Sequence, residues 1–362
     1  MSDAVSIQSF DHLELYVGNA KQAAMFYDRA FGFQSIAYRG LDTGSRSVAS
    51  YVLQQGEIRL VLSAALDPNH PIALKTAKHG DHLAIIALTV KNVDRAFSVS
   101  TARGALSAVP PTEERDETGT YRYATIYGYG NTLIKFVERD RYHGSFAPGF
   151  VPRSTQSQTN AGLIKIDHVV GNVEKGQMEH WVKFFRNVLE LDLLVQFDES
   201  VITTDYSALT SSVMQSTTGA IKLPINEPAI GKGKSQIQEF LDYNHGAGVQ
   251  HVAYLTYDII DTVTKLKQLG IEFLNVPRSY YSDLEARIGK IDQSIEQLAE
   301  LGILVDRDRE GYLLQIFTRP VQDRPTLFFE IIERHGSQGF GEGNFKSLFE
   351  AIEREQALRG NL

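Results

Sequence analysis

Cysteine is absent from the chain. That excludes disulfides and thiolate ligands, so any metal must be held by His, Asp or Glu. Long apolar runs are missing as well. No stretch approaches the ~18–20 consecutive apolar residues of a membrane-spanning helix. The opening MSDAVSIQSFDHLELYV has neither a basic leader nor an unbroken apolar core, so no signal peptide is expected. Basic clusters are also lacking, and a formal charge of −8 argues against nucleic acid or an anionic membrane as partner. What is present is an ordinary globular composition, 43% hydrophobic and 22% charged, over 362 residues. That length favours two domains. The expectation is a soluble, cytoplasmic protein.

Internal similarity supports the two-domain reading. SFDHLEL (residues 9–15) parallels IKIDHVV (residues 164–170), and each is followed by Gly-Asn (Gly18-Asn19, Gly171-Asn172). A helical apolar spacing comes next in both, through Ala23, Phe26, Tyr27 and Ala30, and through Met178, Trp181, Val182, Phe185 and Leu189. GDHLAIIALTV (residues 80–90) parallels VQHVAYLTYDI (residues 249–259), and NTLIKFVER (residues 131–139) parallels PTLFFEIIER (residues 325–334). HGSFAPGFVPRSTQSQTNAG (residues 143–162) reads as a linker, with the domain boundary near residue 158. The pattern predicts α+β domains, 1–158 and 159–362, built on curved sheets. The second is longer. Leu284, Ile288, Ile291, Ile295 and Leu298 predict a helical stripe within residues 282–301. Phe345, Leu348, Phe349 and Ile352 predict a terminal helix over residues 344–359, behind a glycine-rich segment.

Three polar residues stand on apolar strand faces. Alternation places His168 with Ile164, Ile166 and Val170, His251 with Val249, Ala253 and Leu255, and Glu330 with Phe328 and Ile332. Burying them is costly unless they satisfy one another or a cation. Two imidazoles and a carboxylate on one face of a metal suit non-haem Fe(II), with positions left for substrate and dioxygen. In the first module His12 and His82 align with His168 and His251, while Phe136 falls where Glu330 stands and Glu138 lies two residues on. One metal per chain is expected, in the C-terminal module.

KLPINEP (Lys222–Pro228), KSQIQ (Lys234–Gln238), GAGVQH, LLQIFT (Leu313–Thr318), RPTLFFEIIER and GFGEGNF (Gly339–Phe345) resemble the 4-hydroxyphenylpyruvate dioxygenase family. The resemblance covers the C-terminal module closely and the N-terminal module loosely. It implies two tandem vicinal-oxygen-chelate domains of βαβββ repeats with curved mixed sheets and a C-terminal lid helix. It implies Fe(II) on His168, His251 and Glu330. It assigns Ser211, Asn226, Gln236, Gln250 and Gln315 to a polar pocket wall, and Phe317, Phe328, Phe340 and Phe345 to an aromatic one, with Asn344 close by. Gln250 sits awkwardly, because in a regular strand it points away from its neighbour His251. Either the Gly246/Gly248 segment bends the strand, or Gln250 acts from behind the ligand.

The implied reaction converts 4-hydroxyphenylpyruvate and O2 to homogentisate and CO2, in tyrosine catabolism, by oxidative decarboxylation, ring hydroxylation and side-chain migration. It is centred on iron and requires no protein base. A homo-oligomer, dimer or tetramer, is expected, and the N-terminal module, having no site of its own, offers a surface for assembly. 4-Hydroxymandelate synthase shares fold, metal and substrate, but typically departs from this pattern at Pro224 and Phe317. An extradiol catechol dioxygenase does not account for PINEP, KSQIQ and GFGEGNF together. A metal-free small-molecule-binding protein of the same fold leaves the three polar residues unexplained.

Overall fold

The structure, a computed structural model, describes residues 4–154, 160–198, 208–229 and 233–361. Two curled mixed sheets form its frame. The first runs, in spatial order, Ser107–Asp116, Gly119–Tyr127, Leu133–Glu138, His82–Val90, Ile7–Tyr16, Ile58–Ala65, Val48–Gln55, Gln34–Arg39 and Val151–Pro152. The second runs Leu304–Arg307, Tyr312–Phe317, Phe328–His335, Gly248–Leu255, Lys165–Asn172, Lys222–Pro228, Leu209–Gln215 and Asp192–Phe197. Taken in this direction the two orders match strand for strand, and Val151–Pro152 is the one addition. The fold is α+β, a tandem repeat of one unit.

A helix follows the first strand of each unit. Ala20–Phe31 starts at Asn19, whose side chain accepts from the Gln22 N–H, and stops at Gly32 with φ 75°. Met178–Leu189 stops at Glu190 with φ 58°. Ala24, Tyr27, Ala30 and Phe31 bury one stripe, while Phe26 is 39% exposed, outside the stripe expected for it. The helix-facing sides of both sheets merge into one apolar core. At its centre Phe329 stacks on Tyr254 at 5.3 Å and meets Phe31 at 5.1 Å, joining the modules through rings. Full burial of each such ring is worth about 1.5–3 kcal/mol.

Two further expectations change. The stripe over residues 282–301 is two short helices, Leu284–Ile288 and Ile295–Leu301. Gly289, at φ 73°, ends the first, and Ser294 caps the second. Leu284, Ile288 and Leu298 are buried even so, because a loop can return apolar residues to a core as a helix does. The expected linker is structured up to residue 154. Phe146 and Ala147 are buried, packed with Tyr121 and Tyr142 on the concave side of the first sheet, and Val151–Pro152 pairs with Gln34–Arg39. The boundary expected near residue 158 lies outside the described residues. The terminal helix is Phe345–Leu358, entered through a 3-10 turn over Glu342–Asn344, with Leu348 and Phe349 buried.

Candidate metal centre

The strands carrying His168 and His251 slip register twice. Ile166 pairs with Tyr254 but His168 with Ala253, which leaves Asp167 as an extra residue. Val170 pairs with His251 but Gly171 with Val249, which leaves Gln250 extra. A bulge of this kind sets two residues against one and interrupts alternation. Ile166 and Val249 therefore join the helix-side core, whereas His168 and His251 face a cavity. Strict parity had put Ile166 with His168 and Val249 with His251, and the bulges correct both. They also account for Gln250, which faces the cavity beside its neighbour His251. The Glu330 strand is regular, so Phe328 and Glu330 share the cavity side as alternation predicts.

His168, His251 and Glu330 are buried, at 3%, 8% and 3% exposure. Their candidate ligand atoms lie within 4.8 Å of one another. Glu330 Oε2 is 3.1 Å from His168 Nε2 and 3.5 Å from His251 Nε2. The opposite nitrogens are held from behind. His168 Nδ1 donates to Asp167 Oδ1 at 2.7 Å, and His251 Nδ1 to Gln250 Oε1 at 3.0 Å. Each bond fixes the tautomer whose Nε2 lone pair faces the centre. Asp167 is gripped in turn by Arg334 through two contacts of 2.8 Å.

Two of the charge states suit a cation, an ionised Glu330 and a neutral His251, while at His168 a proton is favoured that a cation would displace. Burial pushes the Glu330 carboxyl up, but His168 and His251 outweigh it and hold the group below its usual range. Burial lowers His251 and keeps it neutral. Burial also opposes charge on His168, yet Glu330 and Asp167 together raise it. Burial disfavours the Asp167 carboxylate, but Arg334 and His168 hold it well below the usual range. Two imidazoles and a carboxylate, converging and held from behind, fit a divalent first-row metal that keeps open positions.

The cavity over this centre is lined by Ser211, Asn226, Gln236, Gln250, Gln315, Phe317, Phe328, Phe340 and Phe345. Phe328 stacks on His251 at 4.8 Å and 17°, Phe317 meets the same ring edge-on at 6.1 Å, and Phe340 meets His168 edge-on at 5.2 Å. Gln315 Oε1 is buried with no hydrogen bond among the described residues, an acceptor open to a ligand. Gly341 allows that amide its place. A Cβ there would lie 2.2 Å from Gln315 Oε1, and φ is +77°. Asn344 stands behind the wall, its Oδ1 accepting from the Tyr280 hydroxyl at 2.6 Å.

The Glyoxalase/Bleomycin resistance protein/Dioxygenase superfamily model matches residues 9–136 and 165–316. A 4-hydroxyphenylpyruvate dioxygenase of Yarrowia lipolytica is 45% identical over 99% of this chain and 94% of its own length. One from Dictyostelium discoideum is 44% identical over 98% and 100%. The chain belongs to the 4-hydroxyphenylpyruvate dioxygenase family. A solved structure of a substituted 4-hydroxymandelate synthase from Streptomyces coelicolor superposes with a TM-score of 0.87 at 32% identity, over 97% of this chain and 99% of that one. Membership of a dioxygenase family within this superfamily implies a metal, and the buried His-His-Glu group is the site among the described residues that could hold one.

The first sheet repeats both bulges, at Asp11 and Ala84, and this fixes what corresponds to what. His12 pairs with Ala87 as His168 does with Ala253. Glu14 pairs with Ile85 as Val170 does with His251. Ala87 pairs with Lys135 as Ala253 does with Glu330. Ile85 therefore stands for His251 and Lys135 for Glu330. The alignments of His82 with His251 and of Phe136 with Glu330 are corrected. Phe136 lies in the helix-side core, and His82 sits at its strand's start with Nδ1 2.8 Å from the Gly80 carbonyl oxygen. Glu138 matches Glu333, each accepting the first N–H of an earlier helix, at Val93 and Ile259.

Sequence reasoning missed Asp167, Arg334, Phe197, Leu209 and Val213. The repeated Asp-His (Asp11-His12, Asp167-His168) and Glu-Arg (Glu138-Arg139, Glu333-Arg334) pairs carried a signal for the first two. Leu209 and Val213 alternate with Ser211 on one strand, which could have placed them on the same wall.

Proposed function

We propose that this chain converts 4-hydroxyphenylpyruvate and O2 to homogentisate and CO2, with Fe(II) held by His168, His251 and Glu330. The observation that carries the reading is one buried cavity with those three side chains at its floor, six phenylalanines around it and amides at its polar wall. Ferrous iron, when bound, supplies the redox chemistry by which one oxygen atom of O2 joins the keto carbon as CO2 leaves and the other joins the ring. The residues bind, orient and exclude water. Phe317, Phe328, Phe340 and Phe345 enclose the substrate ring. Gln315, Gln236, Asn226 and Ser211 offer hydrogen bonds to its polar ends, and Gln250 keeps His251 in the binding tautomer. Asn344 supports the wall at Phe345. No side chain in the cavity is required as a general base.

Residues 159–362 form the catalytic half in this reading, and residues 1–158 carry no metal of their own, because Ile85 and Lys135 replace two donors. The terminal helix, contributing Phe345, Leu348, Phe349 and Ile352 to the cavity, acts as its lid. The reading places the enzyme in the cytoplasm as a homo-oligomer, dimer or tetramer. No helix among the described residues is long and apolar enough to cross a membrane.

The test is anaerobic Fe(II) reconstitution followed by 4-hydroxyphenylpyruvate and air, with products identified against standards. Homogentisate with equimolar CO2 supports the reading. 4-Hydroxymandelate would keep the centre and transfer the chain to the synthase reaction. Bound iron without turnover would reject the substrate.

A further inference from the structure

Arg334 binds two things at once. Its Nε and Nη2 donate to the two oxygens of Asp167, and Asp167 Oδ1 accepts from His168 Nδ1. Its Nη1 donates to the carbonyl oxygens of Ser337 and Gly339, at 3.2 and 2.8 Å. Gly339 leads directly into Phe340, whose ring lies between the His168 imidazole, at 5.2 Å, and the Arg334 guanidinium, at 5.8 Å. One ion pair, with Asp167 at 5% and Arg334 at 12% side-chain exposure, thus grips a donor imidazole and the chain leading to the terminal helix.

The N-terminal module holds the same device. Arg139 binds both oxygens of Asp11 at 2.6 and 2.9 Å, Asp11 accepts from His12 Nδ1 at 2.5 Å, and Arg139 donates to the Phe146 carbonyl oxygen. The Phe146 ring meets His12 edge-on at 5.1 Å, as Phe340 meets His168. Ile85 and Lys135 stand at the other two donor positions there. The first copy therefore does only the mechanical work, and it provides a matched control inside the same chain.

We propose that Asp167 and Arg334 are positioning residues that hold His168 in its metal-binding orientation and in register with the Phe340 wall. Metal affinity and closure of the cavity then depend on one shared contact. The proposal rests on the metal-centre reading above. Breaking either copy strands a buried charge and weakens the fold. Only the second copy transmits that loss to a metal, where an outer partner of a ligand is worth about 10–100-fold in affinity.

The experiment uses the full chain as wild type, Asp167→Asn, Asp11→Asn and Arg334→Lys. Co(II), stable in air, is titrated against a competing chelator and followed by its visible absorption. Melting of the metal-free proteins and O2 consumed per CO2 released after Fe(II) loading are measured alongside. Wild type is expected to bind one Co(II). Asp167→Asn weakens binding about 10–100-fold, whereas Asp11→Asn stays within about twofold while its metal-free form melts lower. Arg334→Lys keeps the charge but loses the planar fork. It weakens Co(II) less than Asp167→Asn and raises O2 consumed per CO2. The proposal is overturned if Asp167→Asn and Arg334→Lys bind as wild type does, or if Asp11→Asn weakens binding as much as Asp167→Asn. If Asp167→Asn does not fold, Arg334→Lys decides by the same two readouts. Wild type taking up no Co(II) would reject the metal centre itself, and the proposal with it.

Discussion

Replacing Ile85 by His and Lys135 by Glu should build a second metal site in the N-terminal module. His12 and its partner Asp11 are already in place at 2.5 Å, and the strand register puts positions 85 and 135 where His251 and Glu330 stand in the other module. Without metal the variant is weakened. The Lys135 ammonium lies 4.4 Å from the Tyr123 ring centroid and 5.5 Å from that of Tyr121, contacts worth about 1–2 kcal/mol when desolvated. Trading the buried Ile85 side chain for an imidazole forfeits about 1–3 kcal/mol more. The sum, about 2–5 kcal/mol, is a large part of a typical ~5–15 kcal/mol stability. Metal at 100 times its dissociation constant returns about 2.7 kcal/mol. The assay is Co(II) stoichiometry by absorption, together with melting at increasing Co(II). The variant should take up one more equivalent than wild type and gain roughly 3–4 °C on loading, for a chain that unfolds as one unit. Adding His82→Ala should leave the second equivalent in place. A variant that binds no extra Co(II), or loses it with His82, would refute the register.

Glu330→Gln removes the charged donor while keeping the shape, and Co(II) affinity should fall by at least ~100-fold in equilibrium dialysis. Phe329→Ala opens the ring cluster between the modules and should cost about 3–5 kcal/mol in urea unfolding without changing Co(II) affinity. Phe328→Ala, one residue away on the cavity side, should raise KM for the 2-oxo acid and loosen His251, seen as weaker Co(II) binding. His82 supplies a pH test. Burial first, then the neighbouring His79, Lys75 and Arg324 charges, outweigh its bond to the Gly80 carbonyl and push its pKa down to about 4 from 6.5. A lowered histidine favours the fold while neutral, so its contribution is whole above pH 6.5 and is lost as pH falls from 6.5 towards 4. Between pH 7 and 5 wild type should lose about 2 kcal/mol more than His82→Asn, read as urea midpoints. Equal slopes for the two proteins would exclude His82 as the source.

The sequence carried the repeat and the α+β class, because both follow from strings that recur in order, and the convergence of His168, His251 and Glu330, because each is a polar residue within an apolar strand. It did not carry register. His82 and His251 each open a similar apolar run, HLAIIAL and HVAYL, and matching the letters aligns them. The bulges at Ala84 and Gln250 show that Ile85 is the true counterpart. A bulge leaves no mark in composition or in apolar spacing, since it is a property of a strand and its partner together. Gly289 is the opposite case. It interrupts a good apolar stripe, and its φ of 73° ends the helix there, yet glycine inside a helical pattern is tolerated often enough that the stripe outweighed it. Phe146 was hidden by its company. A segment rich in Gly, Pro and Ser reads as linker, and only the contact with His12 shows it to be the counterpart of Phe340.

The bulges also explain why the centre has two histidines with adjacent partners and one glutamate without. Alternation sends neighbouring residues to opposite faces, so a strand imidazole has no neighbour with which to fix its tautomer. An extra residue removes that limit. Asp167 stands at one bulge and Gln250 at the other, each bonded to the histidine that follows it. A carboxylate has no tautomer to fix, and Glu330 sits in a strand whose pairing on both sides is unbroken. The first module keeps both bulges although Ala84 at the second has nothing to donate or accept through its side chain. The bulges therefore belong to the curling of the sheet, where twist and bend are needed in either module. The candidate centre uses positions that the fold creates in any case, which is why changing two side chains, at 85 and 135, is the shortest route to a second one.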